Sequence, residues 1–138
     1  MNAYVVVDAS IWVARLIDGD VFHSISRQWL DKQRDKGMSF LAPTLLLVEV
    51  AAAISRRTGS SDLAQRAIDA LENLPNLRLI DMDHKVVQTA IRVGVDLGVR
   101  GADAFYIAIA QNLNLPLATL DIDQRERGSQ IVETLDLS

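Results

Sequence analysis

The feature that most restricts this chain is an alternation. Short, continuously apolar runs rich in β-branched residues are separated by longer segments of helical period. The first run, Tyr4 to Val7, carries no charged position on either side of a pleat. Such a strand must be covered on both faces, which favours a parallel sheet. Ser39 to Ala42, Leu77 to Ile80 and Leu115 to Leu120 predict three more strands, and Ile131 to Thr134 a weak fifth. Between them, Ile11 to Ile17 predicts a short helix, and Phe22, Ile25, Trp29 and Leu30 share the face of a second, ended by Gly37. Pro43 or Thr44 opens a helix to about Arg57. Leu63, Ala67, Leu71 and Leu74 mark the next, closed by Pro75, and Val86 to Leu97 another. Ala102 to Leu113 and a short polar stretch from Asp121 to about Arg127 complete the helices. Strands alternating with helices imply an α/β three-layer sandwich: a mostly parallel, about five-stranded sheet with helices on both faces. With 138 residues and no repeat or linker, 1–138 reads as a single domain.

Composition removes several chemistries. There is no cysteine, so disulfides, thiolate catalysis and cysteine zinc sites are excluded. His23 and His84 are the only histidines, too few for a histidine-rich metal site. Any metal must be a hard ion held by oxygen. A formal charge of −4 excludes binding nucleic acid through a basic surface as a whole, though not through a local patch. Arg15 is the first base, so the start does not read as a signal peptide, and the longest apolar stretch, Leu45 to Ile54, is interrupted by Glu49. A cytoplasmic protein without a membrane segment is expected.

Four acids stand where apolar residues or caps are expected. Asp8 directly follows the first strand, where an N-cap explains it equally well. Glu49 lies among Leu45, Leu46, Ala52 and Ala53 at helical spacing, with no local counter-ion. A water-facing helix edge is the structural alternative there. Asp103 falls in the first turn of an apolar helix, where the macrodipole alone favours an acid. Asp121 follows the fourth strand, with Asp123 as a competing cap. Ligands of open parallel sheets collect beyond the carboxyl ends of the strands, where the strand order reverses. Four carboxylates gathered there repel one another unless a cation joins them, and an oxygen-only cluster suits Mg²⁺ or Mn²⁺.

The pieces Val5-Val-Val-Asp8-Ala-Ser10, Pro43-Thr-Leu-Leu-Leu-Val-Glu49-Val, Gly101-Ala-Asp103-Ala-Phe-Tyr-Ile-Ala-Ile-Ala and Leu117-Ala-Thr119-Leu-Asp121 occur in this order over nearly the whole chain. Together they resemble the PIN domain, and within it the VapC-like toxins of toxin–antitoxin pairs. The resemblance implies a metal-dependent endoribonuclease with Asp8, Glu49 and Asp103 as an acidic triad. It makes Asp121 a more peripheral fourth acid, a place for which Asp123 competes. Ser10 and Thr119 match the hydroxyl residues that orient carboxylates or water. One or two Mg²⁺ or Mn²⁺ ions, an RNA substrate, a small antitoxin protein and a homodimer are implied with them.

An acidic site that meets a polyanion needs flanking cations. Arg15, beyond Asp8, and Arg100, just before Gly101, are the candidates, with Arg125 and Arg127 after Asp121. Trp12 and Trp29 could stack bases, but their apolar helical patterns favour packing in the core or, with Phe22, at a partner interface. Rival readings are weaker. A phospho-receiver needs a lysine after a late strand, and Lys32, Lys36 and Lys85 all fall in or beside helices. A haloacid-dehalogenase-type phosphatase needs an acid where Ser10 stands. A non-catalytic PIN-like scaffold leaves the four acids unexplained.

Overall fold

The computed structural model describes residues 3–137. The elements are β1 (Tyr4–Val7), α1 (Ala9–Leu16), α2 (His23–Asp35), β2 (Ser39–Pro43), α3 (Leu45–Thr58), α4 (Ser61–Glu72), β3 (Leu77–Ile80), α5 (His84–Leu97), α6 (Gly101–Leu113), β4 (Leu117–Ala118), α7 (Ile122–Gly128) and β5 (Thr134–Leu135). The strands form one parallel sheet in the order β3-β2-β1-β4-β5. Val6 lies level with Leu41 of β2 on one side and Leu117 of β4 on the other. Successive strand residues point to opposite faces. Val5, Val6 and Val7 are nevertheless all at most 1% exposed, so helices cover both faces of the sheet. Each such buried side chain contributes about 1.5–3 kcal/mol. From Asp103 to Ala110, α6 is buried at every position but Phe105, and it packs against β1 and β2.

The α/β class and the five-stranded parallel sheet agree with the pattern read from the sequence. The differences lie at the ends of elements. The fourth strand is two residues long rather than six. Asn114 turns the chain left-handed (φ 54°) and the Leu115 N–H still bonds Ala110 of α6. Beyond Ala118, side chains replace the ladder: the Leu120 N–H donates to Ser10 Oγ and the Asp121 N–H to Thr119 Oγ1. The last strand is Thr134–Leu135, not Ile131 to Thr134, because Ile131 and Val132 donate back to Gly128 in a turn after α7. Phe22 lies outside the core, at the N-cap of α2 and 47% exposed. Trp12 is 3% exposed, with its ring edge-on to Phe40 at 5.6 Å, so it is packing and not a base platform. Gly98 ends α5 in a left-handed turn (φ 68°) that leads to Arg100, and a Cβ there would meet the Arg127 guanidinium at 3.2 Å.

Candidate active site

Between β1 and β4 the strand order changes direction, because the chain builds outward from β1 first through β2 and β3 and then through β4 and β5. That is the switch point at which an open parallel sheet leaves a crevice. Asp8 stands at its edge. Its extended backbone caps α1, and its Oδ2 accepts the Ser10 N–H at 3.0 Å. The side chain is therefore both a cap and a member of the site. Asp8 is 5% exposed. Burial pushes its carboxyl above the ordinary carboxylate range, and hydrogen bonds from Ser10, Gln124 and Thr119 only partly oppose this.

Thr119, fully buried at the end of β4, is the hub. Its Oγ1 lies 2.7 Å from Gln124 Oε1, 3.2 Å from Asp8 Oδ2 and 3.4 Å from Ser10 Oγ, and it accepts the Asp121 N–H at 3.0 Å. A hydroxyl has one proton, which serves one acceptor at a time, and the shorter contact is to Gln124. Asp8 therefore has less fixed donation than its burial calls for. Gln124 Nε2 reaches the Asp103 carbonyl at 3.4 Å, so one buried carboxamide ties β4, α6 and α7 together.

The other acids arrive from three helices. Glu49 projects from α3, and its Oε1 accepts the Tyr106 hydroxyl at 2.8 Å. Burial raises the Glu49 carboxyl, and the charges of Asp8 and Asp103 raise it further, against the Tyr106 bond. No arginine pairs with it among the described residues. Tyr106 is fully buried, and burial together with the Glu49 charge drives its phenol far above the ordinary value, so it stays a donor. Asp103, in the first turn of α6, is 8% exposed; burial raises its carboxyl first and the Asp8 charge second. Asp121 caps α7 by accepting the Gln124 N–H at 3.0 Å.

Arg100 binds two of these acids, with Nε 3.2 Å from Asp103 Oδ2 and NH2 2.7 Å from Asp121 Oδ2. The Asp103 charge, then that of Asp121, holds the guanidinium above its usual value. Arg100 is thus an internal counter-ion on an exposed side chain. Arg15 is not brought to the acids: it lines a separate cavity of 160 Å³ with Trp12, Leu30, Phe40 and Leu71. The reason is the helical turn, which sends Arg15 toward α2 and α4 while Ser10 and Val13 face the crevice. Asp123 is 63% exposed and paired with Arg127 at 2.8 Å, whereas Asp121 lines a 600 Å³ cleft with Ser10 and Glu49.

An oxygen-only donor set with three raised carboxyls and one shared guanidinium fits a hard divalent cation by its chemistry. Among the described residues no three acidic or histidine side chains close into a ready-made ligand set. Arg100 bridges Asp103 and Asp121, pairing with both.

Tyr106 and Gln124 do not emerge from the sequence reading. Tyr106 stands three residues after Asp103, in an apolar run that reads as core. Asp121-x-x-Gln124 has the spacing of a capping box, but the carboxamide turns inward to Thr119 instead of back to the cap.

The three raised acids set a pH dependence. A group whose folded pKa lies above its unfolded value adds stability below the unfolded pKa and loses it as pH rises through the folded one. Asp8, Glu49 and Asp103 all have that sign. With chelator present, the melting temperature should therefore rise as pH falls from neutral toward the carboxylate range. Thermal melts between pH 7 and 5 check this, and a steady fall over that window contradicts it.

A family model described as the PIN domain matches residues 5–129. Among solved structures, the chain resembles VapC20 of Mycobacterium tuberculosis, described as a sarcin–ricin loop cleaving toxin (TM-score 0.78, 20% identity, 94% of this chain and 97% of that one). It is similar to a toxin–antitoxin complex from Klebsiella pneumoniae (0.73, 16%, 97% and 98%). It is also similar to VapBC2 from Rickettsia felis, bound to a DNA fragment from their promoter (0.72, 16%, 96% and 98%). No curated protein sequence matches the chain. No helix among the described residues is long and apolar enough to cross a membrane.

Proposed function

The chain belongs to the PIN-domain family, and from that premise we propose that it is a metal-dependent endoribonuclease, the toxin of a type II toxin–antitoxin pair acting in the cytoplasm. The observation that carries the reading is the convergence of Asp8, Glu49, Asp103 and Asp121 around the β1/β4 switch point, where their charges act on one another. A scaffold has no use for carboxyls raised by burial, and at Glu49 and Asp103 by neighbouring acids as well, because they weaken the fold at neutral pH. The cleavage and complexes attributed to similar structures support the same reading.

In this mechanism Asp8, Glu49, Asp103 and Asp121 are the residues that would hold Mg²⁺ or Mn²⁺. Bound there, such an ion would supply a water of lowered pKa and a charge to polarise a phosphoryl oxygen. Thr119 and Ser10 hold Asp8, and Gln124 holds Thr119. Tyr106 orients Glu49. Arg100, 76% exposed, can exchange its carboxylate partners for a phosphate of the RNA, which places its charge beside the scissile bond. The test is incubation of purified, antitoxin-free protein with total cellular RNA, mapping new ends with and without Mg²⁺. Metal-dependent ends support the reading, and their absence removes it.

Asp121→Asn should slow cleavage more than Asp123→Asn, because only Asp121 lines the cleft and touches Arg100. Relative rates of the two variants decide it; the reverse order would move the fourth acid to Asp123. The reading includes a homodimer, for which the exposed Val48 on α3 and Ile91 and Val95 on α5 are apolar material. Light scattering that gives a monomer at every concentration removes the dimer alone.

A further inference from the structure

We propose that Phe22 and Arg56 form the substrate-reading wall of this cleft, a base platform and a phosphate anchor for unpaired RNA lying against the acids. The proposal rests on the ribonuclease reading and adds the residues that hold the substrate. Both side chains line the 600 Å³ cleft that Glu49 and Asp121 also line. Arg56 stands seven residues after Glu49 on α3, two turns along one face and about 10 Å up the axis at 1.5 Å per residue. Its neighbour Arg57 is committed to Asp20 at 2.8 Å. Arg56 is exposed and makes no ion pair among the described residues, so its charge is available in a chain that is acidic as a whole. Between Glu49 and Arg56 the wall carries only Ala52 and Ala53, which let a sugar–phosphate backbone approach closely.

Phe22 faces the same space. It is 47% exposed, against the usual burial of such a ring. It is not loose. The Asp20 carboxylate accepts the Phe22 N–H at 2.8 Å through Oδ1 and pairs with Arg57 through Oδ2. That side chain is only 13% exposed. One half-buried carboxylate thus clamps the loop before α2 to the end of α3 and fixes the backbone that carries the ring at the cleft wall. A ring face accepts any base, and a guanidinium accepts a phosphate. A base reaches the ring only when it is out of a duplex, so the wall selects unpaired RNA.

The test measures anisotropy of a labelled twelve-nucleotide oligouridylate, with Mg²⁺, over a range of salt. Every protein carries Asp8→Asn to stop turnover. Phe22→Ala should weaken binding about 5- to 150-fold, the yield of one base–aromatic stack, with the salt slope unchanged. Phe22→Trp should restore it. Arg56→Ala should lower the slope by about 0.7, one phosphate contact on a single strand, and Arg56→Lys should keep it. A duplex of equal length should be indifferent to Phe22. Parent-like affinity and slope in both alanine variants overturn the proposal. If those variants instead lose a co-expressed antitoxin, the wall is a protein interface and the proposal falls. Cleavage of cellular RNA by the protein with Asp8 intact reads the nuclease separately. Cleavage without the binding losses removes only the wall, and binding losses without cleavage support the wall and remove only the nuclease.

Discussion

Asp8→Asn should abolish RNA cleavage and leave the fold in place. Asparagine keeps the shape of the side chain and remains a good N-cap, so the bond from the Ser10 N–H survives and α1 starts where it did. Thr119 can still donate to the amide oxygen. What goes is the charge at the carboxyl end of β1. Losing even an outer partner of a metal site typically lowers affinity or activity by about 10–100-fold, and losing a ligand should exceed that. Asp8 is the most buried of the four acids, and that burial works against its charge at neutral pH. The metal-free variant should therefore melt no lower than the parent. Cleavage assays with Mg²⁺ beside paired melts read both effects. Undiminished cleavage removes Asp8 from the mechanism, whereas a collapse in melting temperature makes it a structural cap.

Glu49→Gln separates a ligand from a structural acid by the sign of its effect. The glutamine oxygen can still accept the Tyr106 hydroxyl, so the packing of α3 on α6 is kept. The change removes one charge from a group raised by burial and by Asp8 and Asp103. The metal-free variant should be at least as stable as the parent, by about 0.5–2 kcal/mol, the usual gain when a strained functional site is relaxed. Its stabilisation by Mn²⁺ should shrink, because binding to the native state adds stability as ln(1 + [L]/Kd). An arginine partner for Glu49 would have reversed the first sign, and the described residues provide none. Four melts, parent and variant with chelator and with Mn²⁺, measure both quantities. A variant that is less stable yet keeps its full Mn²⁺ response is incompatible with Glu49 as a ligand.

Glu49 also shows how much of the site was legible. An acid at helical spacing among leucines and alanines has no local reason to exist, and that anomaly can be seen in one dimension. Asp8, Asp103 and Asp121 each had an ordinary explanation, and the structure shows those explanations are also true: Asp8 and Asp121 are caps, and Asp103 lies in a first helical turn. The two roles coincide because the carboxyl end of a parallel strand is where the next helix begins. Tyr106 and Gln124 stayed hidden for the opposite reason. A tyrosine in an apolar helix and a glutamine at a capping-box position match their local settings, and only their partners across the fold make them part of the site.

What the sequence by itself determined is the class of architecture. Short, continuously apolar runs alternating with segments of helical period favour a covered parallel sheet, and that pattern is local. It also limited the chemistry to oxygen ligands, because cysteine is absent and histidine scarce. The tertiary structure alone decided which cation serves which acid. Arg15 and Arg100 looked equivalent beside their acids, but a helical turn carries Arg15 to another cavity while Arg100 bridges Asp103 and Asp121, eighteen residues apart in the chain. It also decided that β4 ends after two residues, where Ser10 and Thr119 take over its hydrogen bonds. Local pattern sets where backbone hydrogen bonds can form, but ion pairs and buried hydroxyls join residues distant in sequence, and only the packed sheet fixes which of them meet.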